Sequence, residues 1–219
     1  MKNTIIILNG ELINDPVKYQ KIIKRNESFI IAADGGVNLL TKLGFLPDIL
    51  IGDLDSVNKN NMNKFKKNKV EILNYPEEKN ETDGELALKY CIEKGYENVI
   101  LTAALGGRFD QQLANIYLLE YALENNIEAK IREPGLEIGL VNKYKKIIDS
   151  KNWGLSLIPL DRVVKSVSIS GCKYNLDELN FNRFKTRGIS NLITQEIAKI
   201  SHGKGRLLYI LHKHMYTSC

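Results

Sequence analysis

The chain has 219 residues, is 43% hydrophobic and 26% charged, and carries 31 Lys/Arg against 26 Asp/Glu. That length allows one large domain or two modest ones, with enough apolar material for a buried core. No stretch reaches the ~18 apolar residues of a membrane span, and three scattered cysteines exclude a disulfide scaffold or a Cys-rich zinc site.

The apolar run Ile5–Leu8 is too short for a signal-peptide core, which predicts a cytoplasmic protein. The charge is unevenly spread. Up to Glu133 there are 17 Lys/Arg against 20 Asp/Glu; beyond it there are 14 against 6. The whole positive excess lies in the last third, and this predicts two modules, 1–133 and 134–219.

Taken in chain order, Thr4–Leu8, Phe29–Ala33, Ile49–Ile51, Val70–Leu73, Val99–Ala104 and Ala129–Ile131 are short, β-branched runs almost free of charge. Such runs are expected of strands buried on both faces, as in a parallel sheet. Between them, Thr82-Asp83-Gly84-Glu85 is a capping box that starts a helix, with Ala87/Cys91 and Leu88/Ile92 on its apolar stripe and Gly95 as its stop. A second helix is predicted from about Asp110 to Asn125, with Leu113, Ile116, Leu119 and Leu123 at helical spacing. The alternation argues a doubly wound, mostly parallel α/β domain. After Glu133-Pro134-Gly135 the pattern changes to short alternating runs such as Leu155–Leu157 and Ser166–Ser170, punctuated by Gly171, Gly188 and Gly203. This predicts a small antiparallel β-sandwich.

No GxxxxGK[ST] phosphate loop, GxGxxG fingerprint, HExxH or GxSxG motif is present, and all three histidines fall from His202 onward. Acid–base or metal chemistry in the α/β module therefore falls to carboxylates. Four strand ends supply them, at the carboxyl edge where α/β sheets bind ligands. Asp34 precedes Gly35-Gly36; Asp53 and Asp55 follow the third run; Asp83 opens a helix; Asp110 follows Gly106-Gly107-Arg108. Two carboxylates two residues apart point the same way in an extended segment. Close like charges then demand a cation, and Mg²⁺ shares hard oxygen ligands with phosphates. Consecutive glycines at a helix start let N–H groups approach an anion, and Arg108 adds a forked donor suited to phosphate. Each of these also reads as a polar turn after a buried strand. Trp153 and Cys91 read as packing residues, and His212 and His214 as solvent-facing. Against a nucleic-acid role for the basic module, its aromatic residues (Tyr144, Trp153, Tyr174, Phe181, Phe184, Tyr209, Tyr216) form no RNA-binding signature with the basic ones.

With these residues in view, the chain resembles the thiamine pyrophosphokinase family over nearly its whole length. The resemblance rests on ILNG, AADGG (Ala32–Gly36), PDILIGDLDSV (Pro47–Val57), ETDGELAL (Glu81–Leu88) and GGRFDQQLANI (Gly106–Ile116). In the basic module it continues with LSLIPL, SGCKYNLD and RGISN (Arg187–Asn191). It implies that thiamine's hydroxyethyl oxygen attacks the β-phosphorus of ATP, giving thiamine diphosphate and AMP, with Mg²⁺ as cofactor. It also implies a homodimer with thiamine at the subunit interface, and no nucleic-acid or membrane partner. Carried over by residue, Asp53, Asp55 and Asp83 are the metal and phosphate aspartates. Asp34, Gly35, Gly36, Thr82, Gly106, Gly107, Arg108 and Asp110 border ATP, and Ser190 and Asn191 border thiamine. Asp55, Asp83 and Arg108 are the expected catalytic groups, with the proton acceptor open between Asp55 and Asp83. Asn80 and Gln111 stand where the family pattern usually has aspartate and histidine.

Overall fold

The six runs, almost free of charge, become six strands paired in parallel. The computed structural model describes residues 3–12, 15–23, 27–55, 57 and 59–213. The chain divides into two compact units, Met1–Pro134 and Gly135–Cys219. The first unit runs β1 (Asn3–Ile7), α1 (Pro16–Ile23), β2 (Ser28–Ala33), α2 (Gly36–Lys42), β3 (Ile49–Gly52) and α3 (Lys59–Lys67). It continues with β4 (Glu71–Asn74), α4 (Asp83–Glu93), β5 (Asn98–Thr102), α5 (Phe109–Glu124) and β6 (Glu128–Glu133).

Within this unit the strand order is β6-β5-β1-β2-β3-β4, and every pairing is parallel. Ile5, Ile6 and Ile7 are all buried although they alternate across the sheet, so both faces are covered. The chain winds outward from β1 to β4, then returns to place β5 on the other side of β1. The order reverses at β1/β5, and strand ends at such a switch point diverge to leave a crevice.

Local chemistry sets the helix starts. The carboxylate of Asp15 accepts the Val17 N–H at 2.9 Å, and Pro16, which has no N–H to lose, takes the first helical position of α1. Thr82 caps α4 by accepting the Glu85 N–H at 3.1 Å. Gly36 opens α2 because nothing larger fits: a Cβ there would stand 2.2 Å from the Ile7 carbonyl oxygen.

The second unit comprises β7 (Leu136–Val141), β8 (Tyr144–Ile148), β9 (Trp153–Pro159), β10 (Val163–Ser170), β11 (Leu176–Asn182), β12 (Asn191–Leu192), β13 (Ile197–Ser201) and β14 (Leu207–Lys213). One layer pairs β12-β9-β14-β7 and the other β11-β10-β13-β8, all antiparallel. Leu155, Leu157, Val164, Phe181, Ile200 and Tyr209 fill the core of this unit, with Trp153 packed against it. Each aliphatic side chain buried there contributes ~1.5–3 kcal/mol. On β14, Tyr209 and His212 lie over glycines of the neighbouring strands. A Cβ on Gly139 would come within 2.7 Å of the Tyr209 hydroxyl, and one on Gly154 within 2.3 Å of the His212 ring. His212 is thus half-buried against a strand rather than solvent-facing. His214 lies outside the described residues. No described helix is long and apolar enough to cross a membrane.

Candidate active site

The carboxyl ends of β1, β2 and β5 border a cleft of about 230 Å³. Its walls are Leu8–Gly10 after β1, Ala33-Asp34 after β2, Ala104 and Gly106 after β5, Thr82–Gly84 at the start of α4, and Gln111, Ala114 and Asn115 on α5. Gly10 lets the segment after β1 fasten to the one after β5. Its N–H donates to the Ala103 carbonyl at 2.8 Å, and a Cβ would stand 2.3 Å from the Leu105 oxygen.

Beside this cleft three carboxylates converge. Asp34, Asp53 and Asp55 each offer an oxygen, and these oxygens lie within 4.8 Å of one another. The backbone brings them there in two ways. Asp34 takes a left-handed conformation (φ 39°) and donates its N–H to the Ile51 carbonyl at 2.8 Å, which ties the end of β2 to the end of β3. Leu54 is also left-handed (φ 67°), and the Asp55 N–H donates back to Asp53 Oδ1 at 3.2 Å. A tight turn, rather than strand alternation, therefore brings Asp53 and Asp55 together. The Asp55 N–H also holds the Asp53 carboxyl below the usual carboxylate range, and Lys79 adds to this against the cost of burial.

Asp83 stands outside this trio. Lys79 Nζ lies 3.1 Å from Asp83 Oδ1 and 3.5 Å from Asp53 Oδ2, with the lysine side chain only 12% exposed. Burial opposes the charge on Lys79, but the two aspartates outweigh it and raise its pKa. Lys79 is a site residue that the sequence reading passed over, although it sits four residues before Asp83 and the spacing offered the signal. Three oxygens from three carboxylates suit a small hard cation, and their mutual repulsion makes the trio costly unless one is present. The residues thus fit Mg²⁺, with Asp34 in the cluster and Asp83 beside it.

At the start of α5, Gly106 (φ 82°) and Gly107 (φ 68°) are both left-handed, and a Cβ on Gly106 would stand 2.7 Å from Glu11 Cβ. Arg108 is 70% exposed at its side chain and forms a two-point pair with Asp110, at 2.6 and 3.1 Å. Its guanidinium holds Asp110 below the usual carboxylate range. Gly35 and Gly36 owe their identity to packing. A Cβ on Gly35 would stand 2.4 Å from the Asn9 amide. Asn80 is exposed, whereas Gln111 lines the cleft.

In the second unit, Ser190 is exposed and left-handed (φ 61°), and its N–H donates to Ser156 Oγ at 3.0 Å. Asn191 is buried, and its amide clamps Tyr174: Oδ1 accepts the Tyr174 N–H at 3.0 Å and Nδ2 donates to its carbonyl at 2.7 Å. The structure therefore leaves Ser190 open and commits Asn191 to holding its own loop.

A family model described as "Thiamin pyrophosphokinase, catalytic domain" matches residues 19–131, and one described as "Thiamin pyrophosphokinase, vitamin B1 binding domain" matches residues 144–207. The chain belongs to the thiamine pyrophosphokinase family. Thiamine pyrophosphokinase of Bacillus subtilis is 28% identical over 182 residues, covering 82% of this chain and 85% of that protein. Its crystal structure aligns with a TM-score of 0.85 at 25% identity, covering 98% of this chain and all of the other. The thiamin pyrophosphokinase of Geobacillus thermodenitrificans aligns with a TM-score of 0.82 at 26% identity, covering both chains entirely. As a thiamine pyrophosphokinase, the chain transfers pyrophosphate from ATP to thiamine.

Proposed function

We propose that the transfer takes place on the strand-end rim of the first unit, with Mg²⁺ held by Asp34, Asp53 and Asp55. The observation that carries this reading is the convergence of three carboxylate oxygens within 4.8 Å beside the switch-point cleft. When bound, Mg²⁺ neutralises phosphate charge and fixes phosphate oxygens.

The chain's own groups do the rest. The N–H groups of Gly106 and Gly107 and the Arg108 guanidinium face the phosphates, with Asp110 orienting the guanidinium through its two-point pair. Thr82, Gly35 and Gly36 border the nucleotide by shaping the helix starts at the cleft. The thiamine hydroxyl oxygen bonds to the β-phosphorus as the bond to the α-phosphate oxygen breaks, and AMP leaves. Little covalent work is needed, so catalysis is positioning and charge stabilisation. We assign the hydroxyl proton to Asp83, which lines the cleft and lies outside the trio, with Lys79 steadying the carboxylate at 3.1 Å. Asp55 serves the cation.

Thiamine is assigned to the β module at Ser190, on a loop held by Asn191. A homodimer with thiamine at the subunit interface fits the uncovered apolar stripe of α5, where Phe109, Leu113 and Tyr117 are 76%, 38% and 46% exposed. A cytoplasmic location fits this set of soluble substrates.

Incubation with ATP, thiamine and MgCl₂ should yield AMP and thiamine diphosphate in equal amounts, and excess EDTA should stop both. ADP in place of AMP would overturn the reading.

A further inference from the structure

Glu133 is a carboxyl group sealed inside the first unit, 2% exposed, at the end of β6. Nothing in the transfer chemistry above uses it. Its Oε1 accepts the Ala104 N–H at 2.9 Å, and the Thr102 hydroxyl donates to Oε2 at 3.4 Å. The Ala103 N–H and the Tyr19 hydroxyl of α1 also favour its ionised form. Burial raises its pKa, and these donors oppose that rise without cancelling it. A carboxyl so costly to bury persists only with its partners in place.

The geometry of those partners is specific. Ala103 is left-handed, at φ 50°, in a segment that is otherwise buried alanine. A left-handed residue turns successive N–H groups to the same side, making a concavity that holds an anion. Here the anion is the protein's own. The opposite side of the same segment is also fastened: Gly10 N–H donates to the Ala103 oxygen at 2.8 Å, Asn115 Nδ2 to the Ala104 oxygen at 2.8 Å, and Glu11 N–H to the Leu105 oxygen at 3.0 Å. The next residues in the chain are Gly106, Gly107 and Arg108.

We infer that Glu133 is a positioning residue for ATP: it fills the Ala103–Ala104 concavity and so fixes where the Gly106–Arg108 turn presents its donors. Without the internal carboxylate, the Ala104 N–H loses its acceptor and the turn loses one of its two anchors. The inference rests on assigning that turn to the phosphates of ATP.

Steady-state kinetics of the full chain test it. Glu133→Gln keeps the shape but replaces one acceptor oxygen with a donor. With the variant folded by circular dichroism, the KM for ATP should rise about tenfold while the KM for thiamine stays within about twofold. A carboxyl that only supports the fold would lower kcat with the folded fraction and leave both KM values alone; that result overturns the inference. If Glu133→Gln does not fold, Tyr19→Phe removes one donor from the same group. A rise of about twofold in the ATP KM alone then supports the inference, and unchanged values overturn it. A wild-type protein that makes no AMP fails the functional reading instead. Calorimetric titration with ATP would still read Glu133: affinity about tenfold weaker in Glu133→Gln supports its role, and equal affinity overturns it.

Discussion

Two corners of the same rim, the β2–β3 corner and the β5–α5 corner, are built on opposite plans. At the first, acids are drawn together by left-handed backbone at Asp34 and Leu54 and are partly neutralised by a lysine 12% exposed. At the second, the acid is hidden beneath the loop as Glu133, and the visible charge is the exposed Arg108–Asp110 pair. The first corner stores repulsion that a cation relieves. The second is already neutralised, its arginine held at the surface by Asp110 and shared with any negative charge that arrives. A rim that must hold both a cation and a polyphosphate needs both plans side by side.

The contrast breaks most visibly at its acidic corner. Asp55→Ala removes one of three converging oxygens and should lower kcat/KM by about 10³-fold or more, with the melting temperature nearly unchanged, since the side chain is exposed. Near-normal turnover in a folded variant would take Asp55 out of the cation set. Next in size is a pair of glycine substitutions. Gly36→Ala drives a Cβ into the Ile7 carbonyl at 2.2 Å and should cost about 2–3 kcal/mol in urea unfolding. Gly107→Ala meets nothing nearer than 3.7 Å and should cost only about 1 kcal/mol, the penalty of a left-handed alanine. Equal losses would show that the two corners do not differ in packing.

Arg108→Lys keeps the charge and loses the fork, and should lower kcat/KM by about tenfold. A change confined to the thiamine KM would place Arg108 elsewhere. The mildest effect concerns pH. Burial raises the Glu133 pKa in the folded chain above its unfolded value. Its contribution to stability is therefore whole below the ordinary glutamate value of about 4.3 and is lost as pH rises through the folded value. Glu133→Gln should flatten that part of a melting-temperature profile above about pH 4; parallel profiles would show that the buried carboxyl titrates as it does unfolded.

The strands of the first unit were legible because a parallel strand buried on both faces has to be free of charge, and β1, β2, β3 and β5 are. The helix over Lys59–Lys67 was not, because Met62 and Phe65 are its only apolar members and make no stripe. The capping box at Thr82 stood out because two side chains of fixed type announce it. The carboxylate trio was only half visible. Asp53 and Asp55 adjoin in the chain, but Asp34 reaches them through left-handed backbone at residues other than glycine, which composition does not flag. Glu133 was invisible for the opposite reason: an acid before Pro134-Gly135 reads as a solvated turn, and only the three-dimensional fold shows four donors around it.

The glycine seats beneath Tyr209 and His212 bear on how the β module reaches its fold. Sliding β14 by two residues would preserve its inward–outward alternation, so hydrophobic pattern alone does not reject that error. Such a slip would set Tyr209 opposite Glu137 or Val141 in place of Gly139, and His212 opposite Asn152 or Ser156 in place of Gly154. Each ring would then lie over a position that carries a Cβ, where it now lies over a glycine. Two absent side chains thus proofread the pairing of the strand that joins both its neighbours, and they do so before any substrate is present.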